Sequence, residues 1–170
     1  MQNALNNIKI MVTEKKYSGR FAIVANAYAQ NAPSADWAAV KELMTSTQVV
    51  NIAAAIRSLS PQDADYEEKK SKMKKQLPCI TVHACGFTDG KRSNATAIDN
   101  GLACIDIDHL TADEGRALLT ALTPEVCNEH GIIYVARSIS TYGIWMLAER
   151  GHGERVTATQ IRLQHVINQL

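Results

Sequence analysis

No stretch of this chain approaches the roughly 20 consecutive apolar residues that a membrane-spanning helix needs, so no membrane partner is expected. The N-terminus carries Asn3, Asn6, Asn7 and Lys9 where a secretory signal would place its apolar core, and the expected location is the cytoplasm. Charge of one sign is missing too. With 18 Lys and Arg against 17 Asp and Glu the net charge is +1, so there is no global basic field, and any phosphate partner must be held by a local patch. The four cysteines, at 79, 85, 104 and 127, form neither a CxxC pair nor a regular framework. Reduced core thiols are therefore expected rather than disulfides, and a zinc site from Cys79, His83, Cys85 and Cys104 is the weaker alternative. Repeats and low-complexity tracts are absent.

What is present suits one globular domain. At 170 residues, 46% hydrophobic and 21% charged, the chain can bury about two thirds of its unfolded surface without staples. The most informative stretch is Gly101 to Leu110, GLACIDIDHL, an apolar run that closes on two aspartates separated by one isoleucine. A strand turns successive side chains to opposite faces, so Asp106 and Asp108 emerge together on one face and Ile107 on the other. Thr111 to Glu114 reads as a capping box that opens a helix immediately afterwards. Paired hard oxygen ligands at a strand end suit Mg2+ or Mn2+, which keep water and substrate phosphate in their other positions. The plainer alternative is that one aspartate caps the turn and the other is solvated. His109 beside them is either a solvated loop residue or a proton carrier or ligand.

Along the rest of the chain, residues 8 to 28 suggest a strand or hairpin around a polar break at 14 to 20. Trp37, Val40, Leu43 and Met44 recur at helical spacing after Ser34 or Asp36 as the start signal, and a second helix is expected from Gln48 to Leu59, with Arg57 near its end. After Ser60-Pro61, residues Gln62 to Gln76 read as a charged, solvated helix that leaves Lys74 and Lys75 beside Leu77-Pro78. CITVHA (79 to 84) is an expected strand, and Cys85 to Asn94 a turn-rich loop presenting Lys91 and Arg92, either a hairpin tip or an anion-binding loop. Helices at 112 to 122 and 124 to 130, a hairpin of strands 132 to 136 and 144 to 148, and a closing helix at 156 to 170 complete the pattern. Trp37 and Trp145 are expected in the core, although Tyr142 and Trp145 beside a basic turn also suit base stacking. Helices first, then strands mixed with helices, predict an α+β domain with a mixed or antiparallel sheet.

Three segments, KKQLPCITVHACGF…KR, GLACIDIDHL and ARSISTYGIW, together resemble the VirE N-terminal-type domains, which are similar to the archaeo-eukaryotic primase (primase-polymerase) superfamily. The resemblance rests on Lys75, Gly86, Arg92, Asp106, Asp108, Ser138, Ser140 and Gly143 in that order. It implies an RRM-like sheet packed with helices and the N-terminal, catalytic-core part of a longer primase-type protein. Asp106 and Asp108 would be the catalytic metal ligands and Glu149 the substitute for a third acid. Lys75, Arg92, Arg137, Ser138, Ser140 and Gly143 would face the phosphates of a nucleoside triphosphate. The implied function is nucleotidyl transfer in mobile-element or phage DNA replication, with single-stranded DNA or a primer-template, and a helicase domain or protein, as partners. The alternative is a catalytically inactive nucleic-acid- or helicase-binding module. The histidine that primase-polymerases carry in their second motif is absent. A haloacid dehalogenase-like reading fails, because no lysine follows Lys91 and the only later acidic pair is Asp113-Glu114.

Overall fold

Short apolar segments interrupted by turn formers produce short strands, and every strand pairing among the described residues is antiparallel. The computed structural model describes residues 11–12, 19–139 and 143–170. These form an α+β chain of two compact units, one from residues 19–100 and the other from 101–170 together with the short strand β1 (Met11–Val12).

In the first unit β2 (Arg20–Val24) lies between β3 (Ser34–Asp36) and the later β4 (Cys79–Thr81). Asp36 then caps α1 (Trp37–Thr45), its Oδ1 accepting the Ala39 N–H at 2.9 Å, which satisfies one of the orphan donors at a helix start. Ser46 ends that helix and caps the next, α2 (Thr47–Arg57). The charged helix is shorter than its composition suggests: α3 runs from Tyr66 to Lys74 and buries no residue, and residues 61–65 are turns. CITVHA is not one strand. Cys79–Thr81 pairs with β2, whereas Ala84 begins β5 (Ala84–Phe87), which pairs with β6 (Ala97–Asp99) in a separate two-stranded sheet. The chain turns at Val82-His83 because the two halves answer to different partners. The expected loop from Cys85 therefore starts within a strand, and Gly86 packs in β5 against Ile98 rather than in a loop. Ala22, Val24, Ala32, Ala84 and Phe87 form one buried cluster of this unit.

The second unit carries the sheet β1-β8-β9-β7, with β7 (Leu102–Ile107) at its edge beside β9 (Ile144–Glu149), and β8 (Ile132–Arg137) between β9 and β1. Alternation along β7 sends Ile105 and Ile107 to the face that Leu119 and Leu122, Cys127 and Leu163 cover, with Val135, Ile144, Met146 and Ala148 from the neighbouring strands. Those covering residues come from α4 (Ala112–Ala121) and the residue that caps it, α5 (Pro124–Glu129) and α6 (Val156–Ile167). The open edge of β7 is not left bare: the side chain of Gln160 on α6 donates to the Cys104 carbonyl at 2.8 Å, which blunts the edge against stray pairing. Gly131, at φ +68°, closes α5 and turns the chain into β8. The expected hairpin at 8 to 28 lies outside the described residues except for β1, β2 and the turn after it. No helix among the described residues is long and apolar enough to cross a membrane.

Candidate functional site

Strand β7 delivers the two aspartates as its sequence alternation requires. Asp106 pairs with Trp145 and Ile107 with Ile144 in the β7–β9 ladder, while Ala136 pairs with Trp145 and Arg137 with Ile144 in the β8–β9 ladder. Directly opposed residues of antiparallel strands point to the same face, so Ala136, Trp145 and Asp106 form one row on the face away from the helix-covered core. One step further along, Ser138, Gly143 and Asp108 form the next row on that same face. Their proximity is direct: the Ser138 N–H donates to the Gly143 carbonyl at 2.6 Å. A Cβ placed on Gly143 would lie 3.3 Å from the Asp108 Oδ1 and 3.3 Å from the Ser138 Cβ. Gly143 is thus a notch with a carboxylate on one flank and a serine on the other. Trp145, half-buried, lies behind the notch and packs on the Tyr134 ring at 5.0 Å between centroids and 52° between planes.

Both carboxylates are exposed. The field of Asp106 reaches along its own face to Cys104, whose thiol is pushed up to about 12, first by burial and then by that negative charge. Beyond Asp108 the chain turns sharply. His109 adopts φ +63°, the left-handed region that a residue with a Cβ enters only occasionally. Thr111 then closes the capping box, its N–H bonded to the Glu114 carboxylate at 2.7 Å and its Oγ1 accepting the Glu114 N–H at 3.2 Å. The acid of that box is Glu114, so neither Asp106 nor Asp108 is the side-chain cap of α4.

The other expected residues separate. Glu149 pairs with Leu102, at the opposite end of β7 from Asp106. Four residues of strand put about 13 Å between the two positions, so Glu149 does not join the aspartates as a third ligand. Among the described residues no group of three or more His, Cys, Asp or Glu side chains converges on a cation position. The zinc alternative would draw Cys79, His83 and Cys85 from the first unit and Cys104 from the second. Arg137 sits beside the site in sequence, but its register with Ile144 and Ile107 sends its Cβ to the face opposite Asp106. Lys75 and Arg92 belong to the first unit. Lys75 is exposed at the C-terminal end of α3, and Arg92 donates from Nη2 to the Ala27 carbonyl at 2.9 Å. Ser140 and Tyr142 lie outside the described residues. Gly143, expected among the phosphate-facing residues, leads a strand two residues before Trp145, where a side chain would strike the backbone oxygen of Ile107 at 2.8 Å.

A divalent cation fits this donor set. Mg2+ is commonly held by one or two carboxylates, with water and substrate phosphate completing the shell, and Asp106 and Asp108 share a face and are solvent-accessible.

Comparison with known proteins corrects the resemblance drawn from the three motif segments. Residues 72–167 match the family model described as BT4734-like, N-terminal domain, rather than a VirE or primase-polymerase family. Short motifs such as a strand ending in DxD or a glycine beside a lysine recur on many folds, which is why their order alone misled. No curated protein and no solved structure matches the chain. The match runs from the end of α3 through α6 and takes in more than half of the chain, which belongs to the BT4734-like N-terminal-domain family.

Proposed function

We propose that the Asp108 end of the second unit's sheet binds a nucleoside triphosphate through a hydrated Mg2+ or Mn2+, in the service of nucleotidyl transfer on DNA. The observation that carries the reading is the shared row: Asp106 and Asp108 project from one face, and Ser138 and the Gly143 notch continue it. Asp106 and Asp108 would hold the cation. Its contribution would be to neutralise phosphate charge, the main requirement of phosphoryl and nucleotidyl transfer. The Ser138 hydroxyl would donate to a phosphate oxygen, and the absent side chain at Gly143 leaves room for that oxygen to approach the backbone. Trp145, held by Tyr134, gives the site an apolar wall.

Isothermal titration of Mn2+ and then of a non-hydrolysable triphosphate analogue tests this. Asp106→Asn/Asp108→Asn should abolish metal binding and metal-dependent nucleotide binding. Equal heats from wild type and the double variant would refute the assignment.

One observation favours a second reading, in which the site binds without turning over. The two aspartates have no third acid beside them among the described residues. Incorporation of a labelled nucleotide into a primer-template, measured in single turnover with Mn2+, separates the two: product above the double-variant background supports transfer, and nucleotide binding without product supports a silent nucleic-acid- or helicase-binding module.

A further inference from the structure

The first unit holds a second feature that the metal site does not use. Its centre is Ala27, whose two backbone groups are both spoken for: its N–H donates to the Lys75 carbonyl at 3.1 Å, and its carbonyl accepts the Arg92 guanidinium at 2.9 Å. The end of α3 and the β5–β6 hairpin loop are thus both hydrogen-bonded to one residue. Further bonds join the hairpin side. The Arg92 N–H donates to the Gln30 carbonyl at 2.9 Å, the Ala32 N–H to the Gly90 carbonyl at 3.2 Å, and Asn31 bridges Lys91.

The next residue is Tyr28, 70% exposed. It is not on a loose loop. The Asn26 carboxamide oxygen accepts the N–H of Tyr28 at 2.9 Å and of Ala29 at 3.1 Å, an Asx turn that fixes the backbone beneath the ring. Of the two segments bonded to Ala27, one carries exposed Lys74 and Lys75 and the other exposed Lys91 and half-buried Arg92. Asp89 on the same hairpin is exposed, its Oδ1 accepting the Lys91 N–H at 3.0 Å and the Thr96 hydroxyl at 3.1 Å. Tyr28 thus follows directly on a residue bonded to two cation-bearing segments.

We propose that this surface, Tyr28 flanked by Lys75 and Arg92, binds single-stranded nucleic acid, the ring stacking on an unpaired base and the cations taking the phosphates on either side. Base–aromatic stacking needs a face-accessible ring on a fixed backbone, and backbone tracking needs cations on both sides of it. A duplex offers no unstacked base to Tyr28, and an acidic peptide offers charge without a ring to stack. The surface is independent of Asp106 and Asp108, so the proposal stands or falls apart from the metal site.

The test is fluorescence anisotropy of a labelled 15-mer oligothymidylate with the whole chain, in EDTA, over a series of salt concentrations. Tyr28→Ala should weaken binding at least about five-fold, the low end for loss of one stacked base, while Tyr28→Phe retains wild-type affinity. Lys75→Ala should weaken binding and flatten the dependence of affinity on salt. Binding in EDTA requires no metal, so failure of the metal site is read separately. Both Tyr28 and Lys75 are exposed, and unchanged thermal melting confirms that the variants fold. The proposal is overturned if the oligonucleotide does not bind, or if Tyr28→Ala and Lys75→Ala bind like wild type. It is likewise overturned if duplex DNA or polyglutamate competes as well as the single strand.

Discussion

Gly143→Ala is the sharpest probe of how the sheet builds its polar row. The added Cβ would lie 2.8 Å from the Ile107 carbonyl oxygen. Ordinary contact begins near 3.4 Å, so at least 0.6 Å (3.4 − 2.8) must be found by moving backbone in β7 or β9. No rotamer can relieve it, because a methyl group has none and the struck atom is main chain. Overpacking of this kind costs about 1–3 kcal/mol, which for a chain of this length lowers Tm by roughly 2 to 12 °C. The displacement also acts on Asp108 and Ser138, each 3.3 Å from the new atom, so Mn2+ affinity should fall with stability. Gly90→Ala provides the control. Gly90 has φ +72° and nothing within 4 Å, so alanine there carries only the left-handed backbone cost of about 1–2 kcal/mol and should leave Mn2+ binding intact. Differential scanning fluorimetry and titration calorimetry on the two variants decide the matter. Wild-type melting of Gly143→Ala, or a loss of Mn2+ affinity no larger than that of Gly90→Ala, would refute the reasoning.

Two further outcomes follow from register and hydrogen bonding. Glu149→Gln should bind Mn2+ like wild type, since the residue pairs with Leu102 at the far end of β7; a weakened isotherm would bring Glu149 back to the site. Glu154 accepts the Gly151 N–H at 2.7 Å and pairs with Arg162 at 3.5 Å, and its carboxyl is held below the usual range chiefly by that backbone hydrogen bond. A depressed folded value contributes stability that is present above the unfolded value near 4.3 and is lost as pH falls through the folded one. The Tm gap between wild type and Glu154→Gln should therefore be widest near pH 7 and close progressively below about pH 4; a gap independent of pH would exclude this linkage.

Local chemistry was legible in the chain wherever the partners lie a few residues apart. The Thr111–Glu114 box closes over three residues, Asp36 caps its own helix, and strand alternation alone puts Asp106 and Asp108 on one face with Ile107 on the other. What failed to show was whatever depends on a distant partner. CITVHA reads as one strand because nothing within it says that Cys79 will pair with Val24 and Ala84 with Asp99. Ser34–Asp36 and Ala97–Asp99 are strands of three residues with little apolar pattern, and they exist only because β2 and β5 offer them open edges.

The chain's own order of residues determined the α+β class, the helix starts and the twin acids at the end of β7, because propensity, capping and alternation act over one or two turns of backbone. Tertiary structure alone decided which residues keep those acids company. Antiparallel register set Ser138 and Gly143 beside Asp108, sent Arg137 to the opposite face and left Glu149 about 13 Å away. Register is a property of two strands at once, and one residue of slip would have exchanged every one of those neighbours.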